Sequence, residues 1–415
     1  MKHTPTLLLY FFLFLLPTQL GIHFWPDFSI VLGRRVDYLS PTLYLSDIVL
    51  FLLALLTLVF YKDKPVPKSM LFFLIGILII GCISWWVSEI KLLSIYGTLR
   101  YLEIWLFSWV LIKLTPSRRG ILLILSLSVC FTSLLSILQF LNQKSVGGVW
   151  RWLGERTFTA NTPGIAQVIV PNQLLLRPYA TLPHPNVLGG FMSILLPLIL
   201  FATVHKDDWL WYVLRLSSIC FMVLSIFISL SRGAWFATVM ILVSWVWQKF
   251  PGRRILKIGI PAILTTLLFI EEILIGRLAS IFFLDTASAF ERKQLVEIAL
   301  KLFADAPLLG VGILQFIPHI PLVSSPPYLL QPVHSQYILI LTENGIFGVG
   351  LFLILYLKAL SQAKRTWQGL FLGILVLGFL GSFDHYFITL IQGQRLLALV
   401  IGLAFSTRNK EFSSN

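Results

Sequence analysis

The chain has 415 residues, of which 57% are hydrophobic and only 12% are charged, and its mean hydropathy is +0.86. A soluble domain carries roughly a quarter charged residues, so this composition excludes an ordinary water-soluble protein. The formal net charge of +14 does not call for a nucleic acid partner, because basic loops on one side of a membrane are the simpler cause. We therefore expect an integral membrane protein that contacts membrane lipids and binds no nucleic acid.

Apolar runs recur along the chain, and several approach the roughly 20 residues that a helix needs to cross a bilayer. They predict an all-α, polytopic fold, with residues 1–415 forming a single transmembrane domain of about twelve spans. The opening run has the basic end and apolar centre of a signal peptide, but it lacks a clear cleavage site and is interpreted as the first span. The predicted spans are 6–21, 41–61, 69–87, 95–114, 120–140, 186–204, 210–230, 233–248, 255–275, 334–356, 368–384 and 387–405.

The connections between these spans alternate between short basic loops and longer, less uniformly basic ones at about 22–40, 141–185 and 276–333. By the positive-inside rule, the short loops and both termini are cytoplasmic, and the long loops face outward. The largest outer loop, 276–333, carries apolar residues at helical spacing over 287–303, so we expect it to be partly helical.

In three stretches, polar residues stand at the ends of apolar runs. Because such groups are costly at a membrane, they mark candidate functional positions. The stretches are LPHPNVLGG (182–190), SLSRGAW (229–235) and VHSQYILILTENG (333–345).

Two of these stretches are predicted turns. Arg232 stands between Ser231 and Gly233, so it lies at a sharp outward turn where it either binds a ligand or reaches to lipid headgroups. His184 lies between two prolines and shortly before Asn186. That rigid turn either holds the histidine in a site or is purely structural.

His334 opens the tenth predicted span, where a neutral imidazole can accept a proton near neutral pH or can simply cap the helix. With an ordinary pKa of about 6.5, its activity as a base should fall as the pH drops through that value. Arg292 lies in FERKQLVEIA, where it either meets a ligand or belongs to a solvated helix face.

Two charges fall deep inside predicted spans. Glu343 lies nine residues into its span, and Arg395 is similarly deep in the last one. Isolated charges at such depth are costly, so we expect both to be structural and to form an ion pair with each other.

Four stretches together resemble the O-antigen ligase / O-antigen polymerase superfamily of bacterial membrane glycosyltransferases. They are RPYATLPHPNVLGGFM (177–192), SLSRGAW (229–235), ADAPLLGVGILQF (304–316) and HSQYILILTENGIFGVG (334–350), in that order. The resemblance covers roughly 170–405, and the N-terminal third matches only in being a set of spans.

The resemblance implies an enzyme of the inner (cytoplasmic) membrane whose active site faces outward. It implies a glycan donor linked through diphosphate to an undecaprenyl lipid, and an acceptor hydroxyl on a glycan, a lipid or a protein. The family's functional residues fall on Arg232 and Arg292, which would bind the diphosphate, and on His334, which would prepare the acceptor hydroxyl. Further candidates for substrate contact or for shaping the site are Arg177, His184, Asn186 and Arg277, the last as an alternative to Arg292.

Neither a metal nor a cofactor is expected. The first outer loop offers only Asp27 and Asp37, ten residues apart, and the histidine spacing matches no metal set. Two guanidinium groups can stabilise a leaving diphosphate without a metal, so we expect inverting, metal-independent transfer. Three alternatives stay open: a polymerase of lipid-linked repeat units, transfer to a protein hydroxyl, or a polysaccharide or lipid transporter. Transporters often have related halves, which this sequence does not show.

Overall fold

The structure is a computed structural model that describes residues 4–170, 173–203, 208–249 and 287–406. Within these ranges the chain is mainly helical, with three small antiparallel strand pairs between helices. The helices are α1 (Thr4–Phe14), α2 (Leu45–Phe60), α3 (Lys68–Val87), α4 (Lys91–Leu114), α5 (Arg118–Asn142), α6 (Pro185–Leu200), α7 (Trp209–Ile228), α8 (Arg232–Lys249), α9 (Ala287–Asp305), α10 (Phe316–Val323), α11 (Gln336–Thr366), α12 (Gln368–Gly381), α13 (Tyr386–Thr389) and α14 (Ile391–Phe405). The paired strands are β1 (Gly21–His23) with β4 (Thr42–Tyr44), β2 (Ile30–Val31) with β3 (Arg34–Arg35), and β5 (Gln167–Val170) with β6 (Gln173–Leu176).

The helical character predicted from the sequence is confirmed. Among the described residues, four helices, α3, α5, α7 and α11, are long and apolar enough to cross a membrane by length and composition. Five shorter apolar helices accompany them: α1, α2, α6, α12 and α14. The number of twelve spans stays a prediction, because the predicted span at 255–275 lies outside the described residues, as does the first part of the 276–333 loop. The predicted helix within that loop is confirmed as α9.

The short basic loops lie together at one end of the helix bundle. The Lys113 ammonium, in the last turn of α4, donates to carbonyls of the loop 61–64. The Arg118 guanidinium, in the first turn of α5, donates to the Thr366 carbonyl at 3.1 Å, at the end of α11. At the other end of the bundle, the segment 17–20 contacts the long connection between α5 and α6. The two kinds of connection thus occupy opposite ends, and the cytoplasmic position of the basic end stays a prediction.

Cysteine labelling tests this orientation. In a variant whose three native cysteines are replaced by serine, single cysteines at the exposed positions Asp63 and Ser361 should resist a thiol reagent that cannot cross the cytoplasmic membrane. Cysteines at the exposed positions Lys144 and Ser325 should react in the same intact cells. The physical reason is that lysine and arginine are concentrated at the end of the bundle where Asp63 and Ser361 lie. The reverse labelling pattern would contradict the orientation.

Two helices, α6 and α14, run through the centre of the bundle. Every residue of α14 is buried, and every residue of α6 except Asn186 is buried. Glycine allows the close packing near the start of α6, because a Cβ added at Gly190 would lie 1.8 Å from the Tyr386 hydroxyl oxygen. This approach brings the segment that follows α12 against the first turns of α6, where the candidate site lies.

The long helix α11 is broken at Gly345, whose φ of 63° and ψ of −166° are not helical. A Cβ there would lie 2.1 Å from the Leu308 carbonyl oxygen, so the position requires glycine. The segment before α10 binds the backbone around the break: the Gly312 N–H donates to the Glu343 carbonyl at 2.8 Å, and the Ile346 N–H donates to Pro307 at 3.0 Å. Irregular backbone at this depth is therefore satisfied by protein.

The predicted ion pair between Glu343 and Arg395 is wrong. Arg395 is buried as expected, but its guanidinium binds the carboxylates of Asp47 and Glu103. Arg100 binds the same two carboxylates at 3.0 and 2.8 Å, which makes a neutral group of two arginines and two acids joining α2, α4 and α14. Glu343 is also buried, and its carboxylate accepts from the Phe316 N–H at 3.3 Å. The depth of a residue along a span does not determine which neighbouring helix its side chain faces. The sequence therefore could not indicate that Arg395 pairs with Asp47 and Glu103.

We expect Asp47→Asn to destabilise the protein strongly. Asp47 contacts both arginines, and its side chain is only 9% exposed, so the change leaves buried positive charge without compensation. Removing one partner of a buried ion pair costs about 3–5 kcal/mol. Glu103→Gln is the matched control and should have a smaller effect, because Glu103 is 26% exposed. The measurement is thermal unfolding in detergent together with the amount of protein in the membrane. An Asp47→Asn protein that unfolds at the wild-type temperature would refute the expectation.

Candidate active site

Three histidines from distant parts of the chain meet at the end of the bundle opposite the basic loops. The rings of His334 and His385 lie edge to face, with their centroids 5.5 Å apart. His184 is close enough for the charges of both to act on it. The ring of Tyr38 packs edge-on against His385, also at 5.5 Å. We call His184, His334, His385 and the neighbouring Asp384 the histidine cluster.

Local sequence fixes the positions of His184 and His334. His184 is the N-cap of α6, where its Nδ1 accepts the Asn186 N–H at 3.1 Å, and Pro185 occupies the first helical position, which proline favours. The helix α11 begins two residues later than predicted. Ser335 caps it by accepting from the Ile338 N–H at 3.4 Å, so His334 stands just before the helix instead of opening it. Its imidazole is therefore held at the edge of the cluster.

Hydrogen bonds tie these segments together. The Gln336 N–H donates to the Asp384 carbonyl oxygen at 3.1 Å, which joins the start of α11 to the connection after α12. The Asp384 side chain accepts a hydrogen bond from the side chain of Asn186. The Arg177 guanidinium donates to the Asn186 side-chain oxygen at 2.7 Å, which leaves the amide N–H groups of Asn186 directed at Asp384. Arg177 and Asn186 are thus positioning groups for the Asp384 carboxylate.

Burial keeps the histidines neutral. It lowers the pKa of His334 to about 4, with further lowering by His385 and Arg292 and an opposing effect of Asp384. It lowers the pKa of both His184 and His385 to about 3, with Arg177 adding to the effect on the first and Arg292 on the second. Burial also raises the pKa of the Asp384 carboxyl. Within the described part of the chain, the enclosed Nδ1 of His334 has no hydrogen-bond partner, so the protein itself leaves this nitrogen unused.

The structure brings together most of the residues predicted from the sequence. Arg292, on α9, is half-buried, and its positive charge acts on His334, His385 and Asp384. Arg232 is exposed at the start of α8, directly after a turn whose Ser229 carbonyl accepts from Arg177 at 2.9 Å. Arg177 thus links the turn before Arg232 to Asn186 and the cluster, whereas a direct approach of Arg232 to the cluster stays a prediction.

The last two predicted residues are Arg277 and Glu343. Arg277 lies outside the described residues. Glu343 is not part of the cluster, but it lines the cavity described below. Among described residues there is no group of three or more His, Cys, Asp or Glu side chains arranged to hold a metal ion. Metal-independent transfer stays a prediction.

The sequence does not point to Asp384 or His385. They lie in the FDHYF stretch where the predicted spans 368–384 and 387–405 meet, which looks like an ordinary connection. The feature that could have identified them is an acidic residue next to a histidine at the same end of the bundle as His334. His385 is buried, and its Nδ1 lies 2.7 Å from the Thr389 hydroxyl, so its ring is held in a defined orientation.

A cavity of about 490 Å³, which we call the chamber, lies beside the cluster. His184 forms part of its wall, and so do Tyr38 and Thr389, the two residues that contact His385. The remaining wall comes mainly from the N-terminal third of the chain and from the segment around α14. A molecule inside the chamber can therefore contact His184, whereas His334 and His385 are not among the described residues of the wall.

Residues 217–353 match a family model described as O-antigen ligase. The matched range contains Arg232, Arg292 and His334, three of the residues that the resemblance pointed to, and it ends before Asp384 and His385. No curated protein matches the chain. The order of the motifs, the helical membrane architecture and the family match over residues 217–353 agree, and together they support the O-antigen ligase superfamily.

Proposed function

We propose that this chain moves a glycan from an undecaprenyl-diphosphate-type lipid to an acceptor hydroxyl on the outer face of the cytoplasmic membrane. The family match supports a membrane glycosyltransferase of the ligase or polymerase kind. The observation that carries the finer proposal is the enclosed, unpartnered Nδ1 of His334, which lies in one cluster with Asp384 and within the electrostatic reach of Arg292. A base can take the acceptor proton, and a guanidinium can stabilise the charge of the leaving diphosphate.

The proposed step is a single displacement. His334 takes the proton of the acceptor hydroxyl while its oxygen forms a bond to the anomeric carbon of the glycan. The bond between that carbon and the phosphate oxygen breaks, and undecaprenyl diphosphate leaves with the bonding electrons. Arg292 and Arg232 stabilise the negative charge that develops on the diphosphate. The carboxylate of Asp384 favours the protonated imidazole that forms, and the anomeric configuration is inverted.

Reconstitution tests this function. The full-length protein in lipid nanodiscs is mixed with undecaprenyl-linked glycan and envelope glycolipid, both extracted from cells that lack its gene. Transfer should give free undecaprenyl diphosphate and an enlarged glycolipid in equal amounts. Such cells should also accumulate the lipid-linked glycan, because its consumption is blocked. Movement of the lipid-linked glycan across the bilayer without cleavage of the phosphate bond would show a transporter instead and would refute the proposal.

The pH dependence should differ from that of an exposed histidine. His334 acts as a base only when neutral, and its pKa is lowered to about 4, so the transfer rate should stay level from pH 8 to 5. The transfer rate should fall about tenfold per pH unit only below about pH 4, whereas an ordinary histidine pKa predicts this fall near pH 6.5. Asp384→Asn should move the fall to still lower pH, because that carboxylate raises the pKa of His334. A wild-type rate that falls through pH 6.5 would contradict the buried base.

A further inference from the structure

The chamber has the dimensions and the position of a substrate site. Its volume of about 490 Å³ falls within the range of about 300–1,000 Å³ that is usual for ligand pockets. One member of the histidine cluster, His184, belongs to its wall, and so do Tyr38 and Thr389, which contact His385. Two residues proposed to bind the donor diphosphate, Arg232 and Arg292, are not among the described residues that line it. The chamber and the diphosphate groups are thus separate parts of the site.

The wall of the chamber combines aromatic rings with planar polar groups. Five aromatic residues line it: Trp25, Tyr38, Tyr44, Tyr96 and Tyr101. Three glutamines stand among them: Gln19, Gln392 and Gln394. A sugar ring has faces of C–H bonds that pack on aromatic rings, and a rim of hydroxyls that bond to amides and carboxylates. Aliphatic residues such as Leu314 and Leu339 also line the chamber, but its polar groups fit a carbohydrate, whereas a lipid chain would need a wholly apolar surface.

The charges of the wall favour a ligand without phosphate. The described lining contains three arginines, of which Arg100 is already paired with Asp47 and Glu103, and the other two, Arg151 and Arg156, are matched in number by the carboxylates of Asp37 and Glu155. Their formal charges cancel, whereas a diphosphate site requires a surplus of positive charge. The ligand that matches this balance is an uncharged, hydroxyl-rich molecule.

Gln19 supplies a hydrogen-bond donor that the fold itself leaves unused. Its Nε2 is fully enclosed and has no protein partner among the described residues. The amides of Gln392 and Gln394 differ, because they donate to the carbonyls of Thr18 at 3.0 Å and Ile388 at 2.8 Å. An enclosed donor without a partner is rare, and because Gln19 lines the chamber, a turn of its amide toward the chamber would let a ligand hydroxyl satisfy it.

We propose that the chamber binds a sugar of the acceptor and presents its hydroxyl to the histidine cluster. This inference rests on the proposed function, and it selects a glycan-bearing acceptor over a protein hydroxyl. The acceptor, and not the donor, is placed here because the arginines for the diphosphate lie outside the wall while His184 lies within it. The N-terminal third of the chain, to which Gln19, Trp25 and Tyr38 belong, then determines which acceptor is used.

The test uses two glycan probes from cells that lack the gene. One is released from the undecaprenyl-linked pool, and the other from the unmodified envelope glycolipid. Binding of each to the full-length protein in nanodiscs is measured by titration. Gln19→Leu should weaken binding of the glycolipid-derived glycan roughly three- to tenfold, as expected for one hydrogen bond, and should leave the other probe unaffected. Its unfolding temperature should not change, because no protein contact of the Gln19 Nε2 is lost.

Two further variants complete the experiment. Trp25→Ala removes an aromatic residue from the wall of the chamber. It should weaken binding of the glycolipid-derived glycan and leave binding of the other glycan unchanged. Gln362→Leu is the matched control, since this glutamine is exposed at the far end of α11, and it should bind both probes like the wild type. Three results would overturn the acceptor site. The Gln19→Leu variant could bind the glycolipid-derived glycan like the wild type, or the wild type could fail to bind this glycan. The variants could also lose binding of the donor-derived glycan alone. The proposed function fails separately, if the cells that lack the gene accumulate no undecaprenyl-linked glycan.

Discussion

His334→Ala should reduce the rate of glycan transfer by a hundred- to ten-thousandfold, which is the usual contribution of a general base. The Nδ1 of His334 is enclosed and unpartnered in the described part of the chain, and burial holds the imidazole in its neutral, proton-accepting form. Binding of undecaprenyl diphosphate should remain roughly intact, because the proposed contacts to the diphosphate come from arginines. The measurements are transfer by the purified variant and titration with undecaprenyl diphosphate.

The glutamine variant separates a base from a group that only orients the acceptor. His334→Gln keeps a side chain that donates and accepts hydrogen bonds, but an amide cannot take the proton. It should therefore be as inactive as the alanine variant. His319→Ala is a control for removing a histidine, because this residue lies on α10 with its Nδ1 2.8 Å from the Gln315 carbonyl oxygen. Appreciable transfer by His334→Gln, with an unchanged pH profile, would rule out the base.

Much of the fold was predictable because the length of an apolar run is a local property. The runs at 69–87, 120–140 and 210–230 correspond closely to α3, α5 and α7. The first run was predicted too long: α1 ends at Phe14, shortly before Pro17, and the chain then enters β1. The break in α11 was not predicted, because a single glycine in an apolar run does not reveal that another segment will pack against its backbone.

The site was predictable where a residue's neighbours in sequence are unusual. The prolines around His184 and the small residues around Arg232 identified these positions in their own stretches. Asp384 and His385 have ordinary neighbours, and only the contact between the start of α11 and the connection after α12 places them beside His334. The chamber was also missed, because its wall combines residues from both ends of the chain.

Arg292→Lys should lower the transfer rate about a hundredfold, because losing one good contact to developing charge costs about 3 kcal/mol. The charge of Arg292 acts on His334, His385 and Asp384, so its side chain faces the site. A guanidinium can bind two phosphate oxygens at once, and an ammonium cannot reproduce this geometry. The variant should still insert and accumulate, and its binding of undecaprenyl diphosphate should weaken, in contrast to His334→Ala. Arg232→Lys should show the same pattern if that residue reaches the diphosphate.

The neighbouring Lys293 provides a matched control. Its side chain is 74% exposed and pairs with Glu297 at 3.8 Å on the outer face of α9, so Lys293→Gln should transfer glycan at nearly the wild-type rate. A similar loss in both variants would mean that the net charge of the helix matters, and not a specific contact of Arg292. Near-normal transfer by Arg292→Lys would remove that residue from the diphosphate site. Transfer that requires an added divalent metal and stops with a chelator would contradict the mechanism in which arginines alone stabilise the leaving group.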